Sequence, residues 1–250
     1  MTLVTLHAAL SDIGLQRHTN EDAYVAAPPL FAVCDGMGGA EAGEVASALA
    51  AETLAARVAA GDSVAAAARA ANAAVYARAA ARAEESGMGT TLTAVTIDGA
   101  RADFAHVGDS RAYLLRDGQL ELLSHDHSLV GELVREGRMT WEEAAAHPQR
   151  SILSRALGTE PEVEIDEFSL ELRAGDVLLL CSDGLSGDLP PEVLRDRLAA
   201  ADPAEAARGL VAAARAAGGH DNITCVVVRH VDEAGRRAWW NRMPSPRRSW

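Results

Sequence analysis

Two stretches of the chain climb through apolar residues to a cysteine and then break at Asp-Gly: Leu30-Phe31-Ala32-Val33-Cys34-Asp35-Gly36 and Val177-Leu178-Leu179-Leu180-Cys181-Ser182-Asp183-Gly184. Unbroken apolar runs of this length predict strands covered on both faces, and Asp-Gly predicts a sharp turn just outside the sheet. Each strand thereby delivers a carboxylate to its end. Phe104-Ala105-His106-Val107-Gly108 leads into Asp109 in the same way, and Asp221-Asn222 opens the run Ile223-Thr224-Cys225-Val226-Val227-Val228 with reversed polarity. In an antiparallel sheet the end of one strand lies beside the start of its neighbour, so these four acids can meet at one rim. Asp22, ahead of Ala23-Tyr24-Val25, reaches the rim by the same logic. Convergent carboxylates call for a counter-charge, most simply a divalent metal ion.

Around these strands the pattern switches between helical and β periods. Residues 3–9 read as a first strand, closed by the turn composition Ser11-Asp12-Ile13-Gly14, and a loop carries residues 17–22. Gly36-Met37-Gly38-Gly39 lets backbone approach a ligand closely. Helices are predicted over about 41–59 and, after Gly61-Asp62-Ser63, to about 85, with Val64, Ala68, Ala71 and Val75 along one stripe of the second. Their alanine content suits close packing onto a sheet. Residues 89–123 read as β with a turn at Asp117-Gly118, and strands return at 163–172 and 177–182. The intervening 124–158 is polar and helical only in short pieces, which marks an inserted lid. Prolines at 191 and 203 open two late helices, Gly218-Gly219 closes the second, and the last strand ends near Val231. Strands gathered around two early and two late helices predict an α+β fold.

Composition narrows the class. A chain of 250 residues with 48% hydrophobic content can bury a sizeable core, as one large domain or two small ones. The apolar stretches are alanine-rich and interrupted by Arg or Glu, and no basic-then-apolar signal opens the chain, so no membrane span is expected. A formal net charge of −13 argues against nucleic acid or an anionic membrane as partner. Every basic residue is arginine, which removes lysine-based chemistry. The three cysteines all fall inside predicted strands, which argues against a disulfide framework and for a reducing, cytoplasmic setting.

Read together, Asp12-x-Gly14-x-x-Arg17-x-x-Asn20-Glu21-Asp22, Asp35-Gly36-Met37-Gly38-Gly39, Gly89-Thr90-Thr91, Val107-Gly108-Asp109-Ser110-Arg111, Ser182-Asp183-Gly184 and Asp221-Asn222-Ile223-Thr224 resemble, in order and spacing, the bacterial PP2C-type (PPM) metal-dependent serine/threonine protein phosphatases. The resemblance covers roughly residues 5–230. It implies a four-layer αββα sandwich of two antiparallel sheets flanked by helices, with an inserted lid and a binuclear Mn²⁺ or Mg²⁺ centre at one end. It makes Asp35 the carboxylate bridging both ions, with the Gly36 carbonyl on one and Asp183 and Asp221 on the other. Hard oxygen donors suit these ions, and a pair of them can activate a bridging water against phosphorus. Glu21 and Asp22 match positions that bind metal waters, and Arg17 matches the residue whose planar fork grips the phosphate. Asp109 matches a position tied to a third, weaker ion shared with Asp183. The implied reaction is hydrolysis of phosphoserine or phosphothreonine on proteins, including Ser/Thr kinases and their substrates, by a protein acting as a monomer. Residues 1–231 would form the catalytic domain, with the lid at about 124–158, and 232–250 an Arg/Trp-rich tail.

Two positions depart from the family pattern. Where relatives often place an acid four residues after the Ser-Asp-Gly aspartate, this chain has Gly187, and the nearest acid is Asp188. Met37-Gly38-Gly39 also stands where animal members carry a histidine, leaving a metal-bound water or a lid histidine to protonate the leaving oxygen. His125, His127 and His147 have no zinc spacing and read as polar contacts of the lid, while His220 orients a loop. Arg17 has a plainer reading as an ion-pair partner of Glu21, and the cysteines read as packing residues. The tail, with Arg236, Arg237, Trp239, Trp240 and Trp250, reads as a solvated terminus rather than a membrane or RNA contact. Two other functions stay open: a catalytically silent phosphoprotein-binding regulator on the same fold, and a hydrolase of small phosphate esters.

Overall fold

A computed structural model describes residues 3–38 and 42–232, together with Gly235. Gly39, the predicted first residue of the first helix and nearly all of the Arg/Trp-rich tail lie outside the described residues. The chain runs β1 (Leu3–Asp12), β2 (Asp22–Ala27), β3 (Leu30–Met37), α1 (Ala42–Ala59) and α2 (Val64–Ala81). It continues through β4 (Gly89–Thr90), β5 (Leu92–Asp98), β6 (Arg101–Val107), β7 (Arg111–Arg116) and β8 (Gln119–Leu122). The short helices α3 (Leu129–Arg135) and α4 (Trp141–Ala145) follow, then β9 (Asp166–Glu171), β10 (Val177–Cys181), α5 (Asp183–Ser186), α6 (Pro191–Leu198), α7 (Pro203–Ala217) and β11 (Ile223–Asp232).

The strands form two sheets, ordered β1-β11-β10-β7-β8 and β2-β3-β5-β6-β9, with β4 joined to β3. Every pairing in them is antiparallel. Period-two alternation sorts the side chains into three layers of core. In β3, Leu30, Ala32 and Cys34 pack with residues of α1 and α2, whereas Phe31 and Val33 join the other sheet's Leu178, Leu180, Val226 and Val228. On the far side, Leu179, Cys181, Cys225 and Val227 pack with Leu194, Leu198, Leu210 and Val211 of α6 and α7. The result is the expected αββα sandwich. Alanines at 46, 50, 67, 68 and 71 are fully buried, so α1 and α2 lie close to each other and to the sheet.

Two local expectations need correction. The β3 strand does not end at Asp35 but runs on to Met37, because β4 pairs with Gly36 and Met37 and prolongs the ladder. The strand expected over 163–172 is confined to Asp166–Glu171, an edge strand with alternating exposure. Between β8 and β9 the only regular elements are α3 and α4, short as read for the lid. Each is capped by a hydroxyl, Ser128 and Thr140 respectively.

Candidate active site

The sandwich brings the acids to one end. Asp22 and Asp35 are direct register partners on β2 and β3, so their side chains share a face. Asp183 opens α5 immediately after β10, and Asp221 precedes β11, the strand that pairs with β10. Gly184 is what lets these two loops touch, since a Cβ there would lie 2.1 Å from the Asn222 carbonyl oxygen. The charges of Asp22, Asp183, Asp109 and Asp221 all reach Asp35.

The electrostatics follow from that crowding. Burial comes first and like charges second in pushing the Asp35 carboxyl well above the usual range. Asp109 rises for the same reasons, burial and then Asp183. Asp183 is raised by burial and by Asp221, although a hydrogen bond with Asp35 opposes the rise. Asp22 is lifted to about 7, chiefly by burial. Its Oδ2 accepts from Ser182 Oγ at 2.8 Å, while its Oδ1 is buried with no partner.

The arginine of the loop after β1 completes the rim. Arg17 Nη2 donates to Asp221 Oδ2 at 2.6 Å, so its ion-pair partner is Asp221 rather than Glu21. The Arg17 side chain is 49% exposed and can face a ligand from solvent. Glu21 stands close enough to feel both Arg17 and Asp221, and burial raises its carboxyl. Gly36 lies beside it, its N–H donating to Glu21 O at 3.0 Å.

The donor set has the chemistry of a hard-cation site: half-buried carboxylates in excess, one with a buried, orphaned oxygen. Among the described residues, no three His, Cys, Asp or Glu side chains are placed so that they could hold a metal ion as they stand. Two of the acids are engaged elsewhere, Asp221 with Arg17 and Asp22 with Ser182. The cysteines contribute nothing to the rim. Cys34, Cys181 and Cys225 are free and buried in the helix-facing cores, and burial pushes each thiol up to about 12.

Sequence reasoning missed the residue that organises the loop. Asn222 is 4% exposed and donates through Nδ2 to Ile13 O at 3.0 Å and Thr19 O at 2.9 Å. Its Oδ1 accepts the Glu21 N–H at 2.8 Å, so one amide fixes the span bearing Arg17, Glu21 and Asp22. A buried asparagine beside a rim acid was the available signal. On the departure at Gly187, Asp188 does not turn to the acids but accepts from His220, Nδ1 to Oδ1 at 2.9 Å. His220 therefore braces a loop, as read.

Comparison with known proteins gives the rim a context. The protein phosphatase 2C family profile matches residues 16–216. The serine/threonine protein phosphatase PstP of Mycobacterium tuberculosis is 48% identical over 238 residues, covering 93% of this chain and 46% of the relative. The serine/threonine phosphatase stp of Listeria welshimeri is 38% identical over 251 residues, covering 93% of this chain and 100% of the relative. The chain thus spans about half the length of the mycobacterial relatives it matches. Among solved structures, the catalytic domain of PstP in complex with two manganese ions superposes with a TM-score of 0.86 at 44% identity, covering 92% of this chain and 100% of that one. The phosphatase MsPP of Mycobacterium smegmatis, in complex with cacodylate, gives 0.83 at 41% identity, covering 89% and 97%. Among the described residues no helix is long and apolar enough to cross a membrane.

Proposed function

Because the chain belongs to the protein phosphatase 2C family, we propose that it is a metal-dependent phosphatase that removes phosphate from phosphoserine and phosphothreonine on proteins. The observation that carries the reading is the rim itself, where mutually repelling, half-buried carboxylates and the orphaned Asp22 oxygen need a cation to balance them. The relative that superposes with two manganese ions supports a pair of Mn²⁺ or Mg²⁺ ions here. Asp35 and the Gly36 carbonyl, with Asp183 and Asp221, would hold the pair, Asp109 and Asp183 a weaker third ion, and Glu21 and Asp22 their waters. When bound, such a pair would supply a water of lowered pKa as the nucleophile toward phosphorus, in place of a protein nucleophile.

The chain's own residues do the rest. Arg17 exchanges Asp221 for the phosphate, since its exposed fork can make two charge-assisted bonds to an oxyanion. Asn222 keeps that arginine's loop in register with the acids. Residues 1–231 act as the catalytic unit, the lid at about 124–158 influences which proteins enter, and kinases with their substrates are the natural partners. The free buried cysteines favour a reducing compartment, the cytoplasm.

The test is release of phosphate from a phosphothreonine peptide with Mn²⁺ and with EDTA. Turnover should need the metal and fall to background in Asp35→Asn and Asp183→Asn. Metal-independent turnover, or full activity in either variant, would overturn the assignment, and a preference for nucleotides over phosphopeptides would redirect it to small esters.

A further inference from the structure

At the root of the lid lies a buried imidazole that the acid rim does not use. His127 is 1% exposed, and its Nδ1 accepts the Gly108 N–H at 3.2 Å. A backbone amide can only donate, so Nδ1 is bare and the ring proton sits on Nε2. Nε2 faces Asp166 Oδ2 at 3.2 Å, across from Arg155, whose Nη1 donates to Asp166 Oδ1 at 3.1 Å. Burial opposes the Asp166 charge, but His127 and Arg155 outweigh it and hold that carboxyl below its usual range. The arrangement is that of a catalytic acid–imidazole pair, except that the group it grips is a main-chain N–H rather than a nucleophile.

What that N–H belongs to gives the contact its meaning. Gly108 has φ +105 and directly precedes Asp109, so it is the turn that aims this acid. From the sheet side the turn is packed on Thr91, whose Oγ1 also accepts the Asp35 N–H at 2.9 Å and bonds Ser110 Oγ at 2.7 Å. From the lid side, only His127 touches it with both main chain and ring: its own N–H donates to Gly108 O at 2.8 Å. The His127 carbonyl in turn accepts Ser154 N–H at 2.9 Å, where the lid returns. The same residue thus meets the lid's outgoing chain, its returning chain, the first residue of β9 and the Asp109 turn.

We propose that His127, oriented by Asp166, is a positioning residue that sets Asp109 in register with the lid, so that lid placement and the aim of this acid are coupled. Its catalytic consequence rests on the phosphatase reading; its geometry does not. The experiment compares full-length His127→Asn, which keeps an acceptor near the Nδ1 position, with His127→Gln, which keeps bulk and a donor toward Asp166 but takes the acceptor away from Gly108. Amide hydrogen exchange in the segment 107–110 should quicken roughly tenfold in His127→Gln, the loss of one ordinary hydrogen bond, and stay near wild type in His127→Asn. Exchange in β10 should be the same in all three proteins. For phosphopeptide, kcat should fall in His127→Gln with KM little changed and recover in His127→Asn. Unchanged exchange at 107–110 in His127→Gln, or an equal rise across β10 in both variants, would overturn the proposal. If the wild type hydrolyses no phosphopeptide, the phosphatase reading fails while the exchange measurement still decides the positioning role.

Discussion

The acids of the rim and the ion pairs at the root of the lid are both partly shielded from solvent, they share the segment from Gly108 to Arg111, and they are built on opposite rules. In the root, Arg111 meets Asp126 through Nε at 2.9 Å and Nη2 at 2.7 Å, with its guanidinium 4.7 Å over the Trp141 ring. Burial alone would lower the arginine, yet Asp126 and Tyr113 raise it, so each charge there is answered within the protein. In the rim, two residues away, Asp109 is raised by burial and by Asp183, and Asp35 by burial and four neighbouring acids. A closed ion pair holds structure together, whereas an excess of one sign is tolerated only where something from outside will balance it. The chain therefore carries its support and its chemistry side by side on one loop.

Opposite rules should give opposite mutational signs. Asp126→Asn leaves Arg111 buried without its counter-charge, and urea unfolding should register a loss of about 3 to 5 kcal/mol. Asp183→Asn should instead leave stability in EDTA unchanged or raised, while activity disappears. If both variants destabilise alike, the contrast fails.

The pH dependence sharpens the same point at smaller scale. Burial lifts the Asp22 carboxyl from its ordinary 3.8 to about 7 when folded, so between these values the folded protein binds protons that the unfolded chain has released. Stability in EDTA should accordingly be greatest at the acid end of that window and decline as pH rises toward 7, by several degrees in melting temperature. Asp22→Asn should flatten the slope. A stability that climbs over the same range would mean that burial does not hold the Asp22 proton in the folded protein.

Smallest of all should be the effect of Arg17→Lys on folding, because its pair with Asp221 is largely exposed and such pairs contribute about 0 to 1 kcal/mol. Its phosphopeptide kcat/KM should still fall roughly tenfold, since a lysine cannot reproduce the two-pronged contact.

Much of this architecture is legible in the sequence because strands covered on both faces leave a strong mark. The runs ending at Cys34, Cys181 and Val228 become β3, β10 and β11, and their alternation resolves into the helix-facing and inter-sheet cores. The acids at Asp22, Asp35, Asp183 and Asp221 could be placed at one end because antiparallel register ties strand ends to neighbouring strand starts. What escaped was whatever depends on remote partners. That β3 runs on past Asp35 is decided by the two residues of β4, too short to read. His127 reads correctly as a lid contact, but its grip on Gly108 and on Asp166 joins three segments that no local pattern connects. Asn222 is a similar case, a clamp whose three partners lie some two hundred positions earlier.

The pairing of β1 with β11, continuous from Leu3 opposite Asp232 to Asp12 opposite Ile223, sets the order in which this fold can come into being. Since β11 also lies between β1 and β10, a nascent chain leaves the facing edges of both strands bare until residues 223–232 have been made. Asp221, Asn222 and the Arg17 loop they secure assemble only then, so the rim cannot close before this strand is in place.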